Sequence, residues 1–261
     1  MSYKDILFID IETVSQYETY HHLPGDWKEL WNHKAKFLSR SPETESPEQL
    51  YQRAGIYAEF GKIICISCGC IQGAGDNKRL KIKSFYGDDE AIILRDFADM
   101  LEKWISSEKK GAFEKSTRCI CAHNGKEFDF PYLCRRLIIN SMSLPDCLNI
   151  RGKKPWEITH IDTLDLWKFG DTKNYTSLKL LAHVLNIPSP KDDMDGSLVN
   201  NVYWVEKDLD RIVRYCQKDV LTLANVYLRM HCEEIVQSEN VEYTTWPIES
   251  IMHPALNGKI S

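Results

Sequence analysis

Four carboxylates and one tyrosine, in three separated segments of the 261-residue chain, are residue types that could carry out chemistry together. They are Asp10 and Glu12 in LFIDIET, Asp129 in EFDFPYL, and Tyr215 and Asp219 in RYCQKDV. Carboxylate oxygens are ligands that Mg²⁺ and Mn²⁺ prefer, and four carboxylates roughly balance two divalent ions. Two such ions about 3.5–4 Å apart can hydrolyse a phosphodiester. The pattern therefore predicts a two-metal site, in which Tyr215 orients or deprotonates the attacking water.

The first two acids end a short apolar run, residues 5–11, which is typical of a buried strand. Because side chains alternate along a strand, Asp10 and Glu12 share one face and lie about 6.6 Å apart. Two carboxylates beside an apolar core must be solvated, paired or bound to metal. The alternative is that the strand ends before them and both are exposed to solvent.

The other two segments are predicted to be helical. Asp129 falls in the first turns of a helix that follows the turn at residues 123–125, where the helix dipole favours any acid. Asn124 in that turn could simply cap the helix. Tyr215 and Asp219 are four residues apart and share a helix face. The alternative for this pair is a surface tyrosine over a solvated aspartate, although the surrounding helix is substantially apolar.

Strands and helices that alternate along the chain must position these residues. Strands are predicted at residues 5–11, 62–71, 79–86, 118–122 and 158–163, the second and third forming a hairpin. Helices are predicted at residues 26–37, 47–58, 89–105, 128–139, 177–187 and 205–236. This order predicts one α/β domain over residues 1–261, with a mixed five-stranded sheet flanked by helices. A helical insertion at about 13–60 follows the first strand, and a tail occupies about 240–261.

Composition limits the class of protein. The chain is 43% hydrophobic and 27% charged, which is ordinary for a globular protein. Its apolar runs are far shorter than the about 20 residues of a membrane helix, and its start lacks the features of a signal peptide. We therefore expect a cytoplasmic protein. The formal charge of −5 argues against a broad basic surface for nucleic acid, although metal ions in a carboxylate site would supply local positive charge.

Nine cysteines suit a reducing compartment. Cys65 and Cys68 form a C-x2-C pair, which raises the question of structural zinc. A zinc site needs four ligands, usually as two such pairs on turns. Here the pair lies in an apolar run with Cys70, while Cys119 and Cys121 have the spacing of a strand. We therefore expect these thiols to be part of the apolar core.

In this order, the residues resemble the motifs of the DnaQ-like, or DEDD, 3′–5′ exonucleases. The first motif, D-x-E, is Asp10–Glu12, and the third, Y-x-x-x-D, is Tyr215–Asp219. The second, N-x-x-x-F-D with Y-L-x-x-R, runs from Asn124 to Arg136. The other subgroup has a histidine where this chain has Arg214, so the resemblance is to the tyrosine subgroup. The resemblance spans residues 5–230. The sequence also resembles the bacterial stand-alone predicted exonucleases that are related to the proofreading domain of family B DNA polymerases.

The resemblance implies a ribonuclease-H-like fold and an enzyme that releases nucleoside 5′-monophosphates from the 3′ end of single-stranded DNA. The implied cofactors are two Mg²⁺ or Mn²⁺ ions, held by Asp10, Glu12, Asp129 and Asp219. Tyr215 would orient the water, and Glu12 would also meet the 3′-hydroxyl. The implied substrate-binding residues are Thr13, Asn124 and Phe128.

Two alternatives remain open for the function. One is an exoribonuclease that trims RNA 3′ ends, and the other is a non-catalytic nucleic-acid-binding adaptor with the same fold. The insertion carries Tyr20, Trp27 and Trp31, which could stack on bases, contact a partner protein or pack an added helix.

Further polar residues also permit two interpretations. His160, Asp162 and Asp165 form an additional cluster, in which Asp162 either lies beside the metal site or caps a helix. Arg135 and Arg136, one to two helical turns after Asp129, could reach a phosphate or a neighbouring acid.

Overall fold

The computed structural model of the chain describes residues 2–38, 45–108, 117–171, 175–188 and 194–245. Its strands are β1 (Ile6–Ser15), β2 (Gly61–Gln72), β3 (Arg79–Tyr86), β4 (Cys119–Ala122), β5 (Ile161–Asp162) and β6 (Val241–Thr245). They form one sheet in the order β5-β4-β1-β2-β3-β6. β2 is antiparallel to both of its neighbours, and the remaining pairs are parallel. This mixed sheet confirms the predicted α/β class.

Helices cover both faces of the sheet. In the described residues they are α1 (Gly25–Leu38), α2 (Pro47–Tyr51), α3 (Glu90–Ser106), α4 (Asp129–Ile139), α5 (Thr163–Lys168), α6 (Leu178–Val184), α7 (Val199–Asn201) and α8 (Leu209–Met230). A π-helical turn, Val202–Glu206, precedes α8. Helices α3 and α4 pack on one face of the central strands, and α8 packs on the other.

The alternation of side chains along β1 determines which face receives the acids. Leu7, Ile9 and Ile11 are buried in the cluster that includes residues of α3 and α4. Ile6 and Phe8 are buried in the cluster that includes Val220, Leu223 and Ala224 of α8. Because the period is two, Asp10 and Glu12 continue the second series and face α8. Each fully buried apolar side chain contributes about 1.5–3 kcal/mol relative to an exposed one, so this register is strongly preferred.

Several predicted boundaries differ from the structure. β1 continues to Ser15, so residues 13–15 belong to the strand, and the insertion begins after them. The sheet has a sixth strand, β6, in what was predicted to be the tail; residues 246–261 of that tail lie outside the described residues. The helix predicted at 205–236 is shorter, because Lys207 adopts a left-handed conformation and Asp208 caps α8. Residues 39–44 of the predicted Ser/Pro/Glu loop also lie outside the described residues.

The insertion has an apolar cluster of its own. Trp31 is fully buried, donates its indole N–H to the Pro47 carbonyl at 2.7 Å and packs edge-on against Tyr51 and Phe60. This burial favours the packing interpretation of Trp31 over base stacking. Trp27 is 40% exposed and also packs edge-on against Phe60. Tyr20 donates its hydroxyl to Asn32 at 2.8 Å.

A buried ion pair joins α3, α4 and the end of the insertion. Arg136 of α4 donates through Nε to Glu90 at 2.8 Å, with a second, shorter contact through Nη2, and through Nη1 to the Ala58 carbonyl at 2.8 Å. Glu90 also accepts from the backbone N–H of Ile63 at 2.7 Å and from the Asn140 amide. Arg136 therefore forms an ion pair with a neighbouring acid and is not exposed to solvent. Arg135, the next residue along α4, is exposed.

Within the described residues, no helix is long and apolar enough to span a membrane. All nine cysteines lie in the described ranges and are free thiols. Cys65, Cys68, Cys119 and Cys121 are buried in β2 and β4. Their burial agrees with the expectation that these thiols are part of the apolar core.

Candidate active site

Asp10 and Glu12 lie on a continuous part of β1, so the alternative of a strand that ends before them is wrong. Both are paired with β2, Asp10 opposite Ser67 and Glu12 opposite Cys65. Glu12 is only 6% exposed. A bulge between Glu12 and Thr13 shifts the register immediately after the second acid. Bulges re-aim side chains beside functional sites, and here the shift lies where the resemblance implies contact with the terminal nucleotide.

Asp129 reaches β1 from the first turn of α4. It is 4% exposed, and its carboxylate lies close to the backbone N–H of Ile11, which lies between the two acids of β1. The helix dipole also favours an acid at this position. Burial and direct contact with β1 do not fit an exposed first-turn acid with no further role.

Asp162 holds the turn that carries Asp129. Its carboxylate accepts from the backbone N–H groups of Asn124 at 2.8 Å, Lys126 at 3.0 Å and Leu164 at 2.9 Å. Asn124 has a φ of 60°, a left-handed conformation that asparagine tolerates better than most residues. Asp162 therefore acts as the cap of α5 and fixes the strand-to-helix turn, which is the capping interpretation of this residue.

The other members of that polar cluster also have structural partners. His160 forms a hydrogen bond through Nε2 with the Cys147 carbonyl at 2.8 Å. Asp165 forms an ion pair with Lys126 at 3.1 Å. Neither contact places these side chains among the four carboxylates.

Tyr215 and Asp219 approach from α8, which runs antiparallel to β1. Ile212 of α8 shares an apolar cluster with Val14, and Cys216, one turn later, donates its thiol to the Asp10 carbonyl at 3.4 Å. Burial raises the pKa of the Tyr215 phenol, and the Asp219 carboxylate, which lies close to its hydroxyl, raises it further. This placement brings the pair to the acids of β1, which contradicts a surface tyrosine over a solvated aspartate.

The carboxylates destabilise one another's charged forms. Burial raises the pKa of Asp10 well above its usual range, and the charges of Asp219 and Asp129 raise it further. Burial also raises the pKa of Glu12 well above its usual range, and the charges of Asp10 and Asp219 raise it further. Burial raises the pKa of Asp129 to about 7. A bound cation would relieve the repulsion and favour the ionised forms.

The donor set fits a hard divalent cation. One oxygen from each of Asp10 and Glu12 lies within 4.8 Å of the other and of Cys216 Sγ. The Oδ2 atom of Asp10 is buried and has no hydrogen-bond partner among the described residues. A buried acceptor without a donor is costly, and a metal ion would satisfy it. Oxygen ligands suit Mg²⁺ and Mn²⁺, whereas a thiolate would favour softer metals.

Cys216 was not singled out from the sequence, because a single cysteine inside an apolar helix carries no distinguishing signal. Burial raises its pKa well above the usual range, and a side-chain contact with Cys65 adds to the effect. The residue is therefore a protonated thiol that donates to the backbone of β1 in the metal-free protein. Its position beside Asp10 shows how closely α8 approaches the strand.

Tyr175 is a second residue that the sequence did not indicate. Its side chain is 66% exposed, and its pKa is raised by partial burial and then by the charges of Asp129 and Asp162. The neighbouring Thr176 carbonyl is within 2.8 Å of His123 Nε2, which ties this segment to the turn before α4. An aromatic ring is thereby placed at the rim of the carboxylate cluster.

The implied substrate-binding residues lie around the same cluster. The Thr13 side chain lies close to the Tyr132 hydroxyl, which itself donates to the Gly55 carbonyl at 2.7 Å. Phe128 precedes α4 and packs against the Tyr132 ring at 5.3 Å between centroids. Asn124 lies at the start of the same turn. Their roles toward a substrate stay predictions.

The raised pKa values predict an unusual pH dependence for the metal-free protein. Unfolded carboxyls titrate near pH 4, so between about pH 4 and 7 the folded cluster binds more protons than the unfolded chain. Its contribution to stability is therefore present below about pH 4 and is lost as pH rises to 7. Asp10→Asn should flatten this part of the profile. Urea unfolding of both proteins in chelator, from pH 4 to 8, measures the difference, and identical profiles would contradict the prediction.

No curated protein sequence matches the chain. Among solved structures, the chain is similar to the family B DNA polymerase of the hyperthermophilic archaeon Pyrobaculum calidifontis, with 16% identity and a TM-score of 0.49. The match covers 86% of this chain and 25% of the polymerase chain. The family described as "Predicted 3'-5' exonuclease related to the exonuclease domain of PolB" matches residues 56–254. The chain belongs to this family of predicted 3′–5′ exonucleases.

Proposed function

We propose that the protein is a metal-dependent exonuclease that hydrolyses single-stranded DNA from its 3′ end and releases nucleoside 5′-monophosphates. The observation that carries the proposal is the convergence of carboxylates from three segments. Asp129 lies close to the backbone between Asp10 and Glu12, and the charge of Asp219 on α8 raises the pKa of Asp10. A buried group of repelling acids is unfavourable unless a cation joins it. Membership of the exonuclease family supports the same chemistry.

The proposed metal ligands are Asp10, Glu12, Asp129 and Asp219, and the proposed cofactors are two Mg²⁺ or Mn²⁺ ions. Such a pair would supply an activated water and neutralise charge on the leaving oxygen. The protein's own contribution is position. Backbone pairing of β1 fixes two acids, the Asp162-supported turn fixes the third, and α8 fixes the fourth together with Tyr215.

Tyr215 is proposed to orient the attacking water. Burial raises its pKa, and the charges of Asp219 and Glu12 raise it further. The phenol therefore keeps its proton in the metal-free protein and can hold a water by hydrogen bonding, which favours orientation over deprotonation. Glu12, buried at the end of the acidic pair, is proposed to accept a hydrogen bond from the 3′-hydroxyl. An internal nucleotide has no free 3′-hydroxyl, so this contact would select chain ends.

We expect Tyr215→Phe to lower kcat roughly tenfold, because the change removes one hydrogen bond and no metal ligand. Burial of the ring is retained, so the fold and metal affinity should be unchanged. Hydrolysis of a labelled oligonucleotide under saturating conditions measures kcat, and Mn²⁺ titration provides the control. A loss as large as that of a carboxylate variant would assign Tyr215 a more direct chemical role.

The experiment that tests the proposed function uses one oligonucleotide sequence in deoxyribo and ribo form, labelled at either end. We expect mononucleotides to appear from the 3′ end of the DNA strand, only with Mg²⁺ or Mn²⁺ present. A large preference for the ribo strand would replace the DNA proposal by an exoribonuclease. Absence of hydrolysis with full Mn²⁺ binding would overturn the exonuclease proposal itself.

The cellular location is also a proposal. None of the nine cysteines forms a disulfide among the described residues, and reduced thiols persist in reducing compartments. This supports the proposal that the enzyme acts in the cytoplasm.

A further inference from the structure

A groove separate from the carboxylate cluster lies beyond the end of β1, on the α8 face of the sheet. It has a volume of about 440 Å³. Its lining residues are Lys62, Asp88, Tyr203, Trp204, Lys207 and Leu209. None of these residues belongs to the carboxylate cluster or to the three motifs D-x-E, N-x-x-x-F-D with Y-L-x-x-R, and Y-x-x-x-D.

Two lysines converge on one aromatic side chain in this groove. Lys62 Nζ lies 5.1 Å from the ring centroid of Trp204, and Lys207 Nζ lies 5.0 Å from it. The indole is itself fixed, because its N–H donates to the Ser15 carbonyl at the end of β1 at 3.2 Å. The two ammonium groups are therefore held against a ring that is anchored to the strand carrying Asp10 and Glu12.

The lining of the groove carries two ammonium groups, those of Lys62 and Lys207, and one carboxylate, that of Asp88. The Asp88 carboxylate is occupied by the Tyr203 hydroxyl, which donates to it at 2.6 Å. Lys62 Nζ donates to the same hydroxyl at 2.9 Å and lies 3.5 Å from the Asp88 backbone carbonyl. Among the described residues, neither Lys62 nor Lys207 forms an ion pair with a carboxylate. Burial lowers the pKa of Lys62, and the charges of Asp88 and Glu90 partly offset this effect.

Lys207 occupies its position at a conformational cost. Its φ of 57° is in the left-handed region, which costs a lysine on the order of 1 kcal/mol or more. The residue ends the π-helical turn and immediately precedes Asp208, the cap of α8. Glycine or asparagine would adopt this conformation more readily. The chain instead places a cation there, directly over Trp204.

The groove is in line with the carboxylate cluster. Ser15 is three residues beyond Glu12, or about 10 Å along the strand. On the opposing helix, Tyr215 packs in the same apolar cluster as Tyr203 and Trp204. A strand with its 3′ end among the acids could therefore extend over this cluster to the two lysines.

We propose that Lys62 and Lys207 bind a phosphodiester of the substrate strand on the 5′ side of the bond being hydrolysed. This inference rests on the proposed function and adds a specificity site to it. A protein with a formal charge of −5 cannot attract a polyanion through general surface charge. Local cations must then provide the phosphate contacts, and this groove brings two of them together.

The test compares kcat/KM on single-stranded DNA over a range of salt concentrations at fixed Mg²⁺. For single strands, each phosphate contact contributes about 0.7 to the slope of log affinity against log salt. We expect Lys62→Met and Lys207→Met each to reduce the slope by about 0.7, with the double variant roughly additive. Lys62→Arg and Lys207→Arg keep the charge and should retain the slope.

Lys34→Met is the matched control, because Lys34 also holds its ammonium over an aromatic ring, at 4.7 Å from Tyr57, but in the insertion. Its slope should equal that of the wild type. A mononucleotide p-nitrophenyl ester is the second substrate, since it is too short to reach the groove. The ratio of kcat/KM for the oligonucleotide to that for the ester should fall roughly tenfold in the double variant.

The outcomes separate this inference from the function on which it rests. If the wild type hydrolyses neither substrate, the proposed function fails. If the wild type is active and the lysine variants keep its salt slope, only the groove proposal fails. An equal fall on both substrates would also overturn it, because the lysines would then act by supporting the carboxylate cluster and not by binding a distant phosphate.

Discussion

Asp219→Ala is expected to reduce hydrolysis of a 3′-labelled oligonucleotide by at least about 100-fold while leaving the protein folded. The substitution removes one of the four proposed metal ligands, and two-metal catalysis depends on each ion being held in place. It also removes a negative charge that raises the pKa of Asp10 and Glu12. The metal-free variant should therefore be at least as stable as the wild type, which separates loss of chemistry from loss of fold.

Asp210→Ala provides the matched control for this experiment. Asp210 is an exposed acid in the first turn of the same helix, so the change in charge is the same. Its activity should stay within about twofold of the wild type, since surface substitutions of this kind have small effects. Wild-type rates for Asp219→Ala would contradict the proposed site. Equal losses in both variants would point to a general charge effect.

The second large effect is expected on stability. Arg136→Met should lower the free energy of unfolding by about 3–5 kcal/mol, because it leaves the Glu90 carboxylate buried without its partner. Arg135→Met, at an exposed neighbouring position, should change it by no more than about 0.5 kcal/mol. Urea denaturation with equal m values in all variants measures the difference.

The double variant Glu90→Gln/Arg136→Met tests the cause of that loss. The introduced glutamine side chain would still accept from the Ile63 N–H but would carry no charge, so the double variant should be more stable than Arg136→Met alone. If Arg136→Met lowered the free energy of unfolding no more than Arg135→Met, the buried ion pair would not exist in solution. Loss of the ion pair would affect function through the position of Asp129, because Arg136 lies about two helical turns after Asp129 on the same helix.

The site was predictable from the sequence to the extent that its chemistry is local. The i, i+2 spacing of Asp10 and Glu12 placed both acids on one face of a strand, and the i, i+4 spacing of Tyr215 and Asp219 placed that pair on one face of a helix. The structure shows these faces turned toward each other. Motif order along the chain indicated that the three segments would meet; the family match covers residues 56–254, which hold the second and third motifs.

The features that sequence analysis missed depend on contacts between distant residues. The sequence favoured a cap or a solvated role for Asp162 over a place beside the metal site, and its three backbone donors in the structure establish the capping role. Lys62 and Lys207 are widely separated in sequence and meet only because Trp204 is fixed to the end of β1. Strand β6 is short and half-polar, so its pairing depends on the free edge of β3. Local patterns contain no information about such partners.

The most direct measurement is a crystal structure of the protein soaked with Mn²⁺ and a nucleoside 5′-monophosphate. We predict two ions about 3.5–4 Å apart, bound by Asp10, Glu12, Asp129 and Asp219, with the Tyr215 hydroxyl directed at the water beside the phosphate. Ions bound elsewhere, or a fully occupied nucleotide with no metal among the four carboxylates, would contradict the proposed two-metal site.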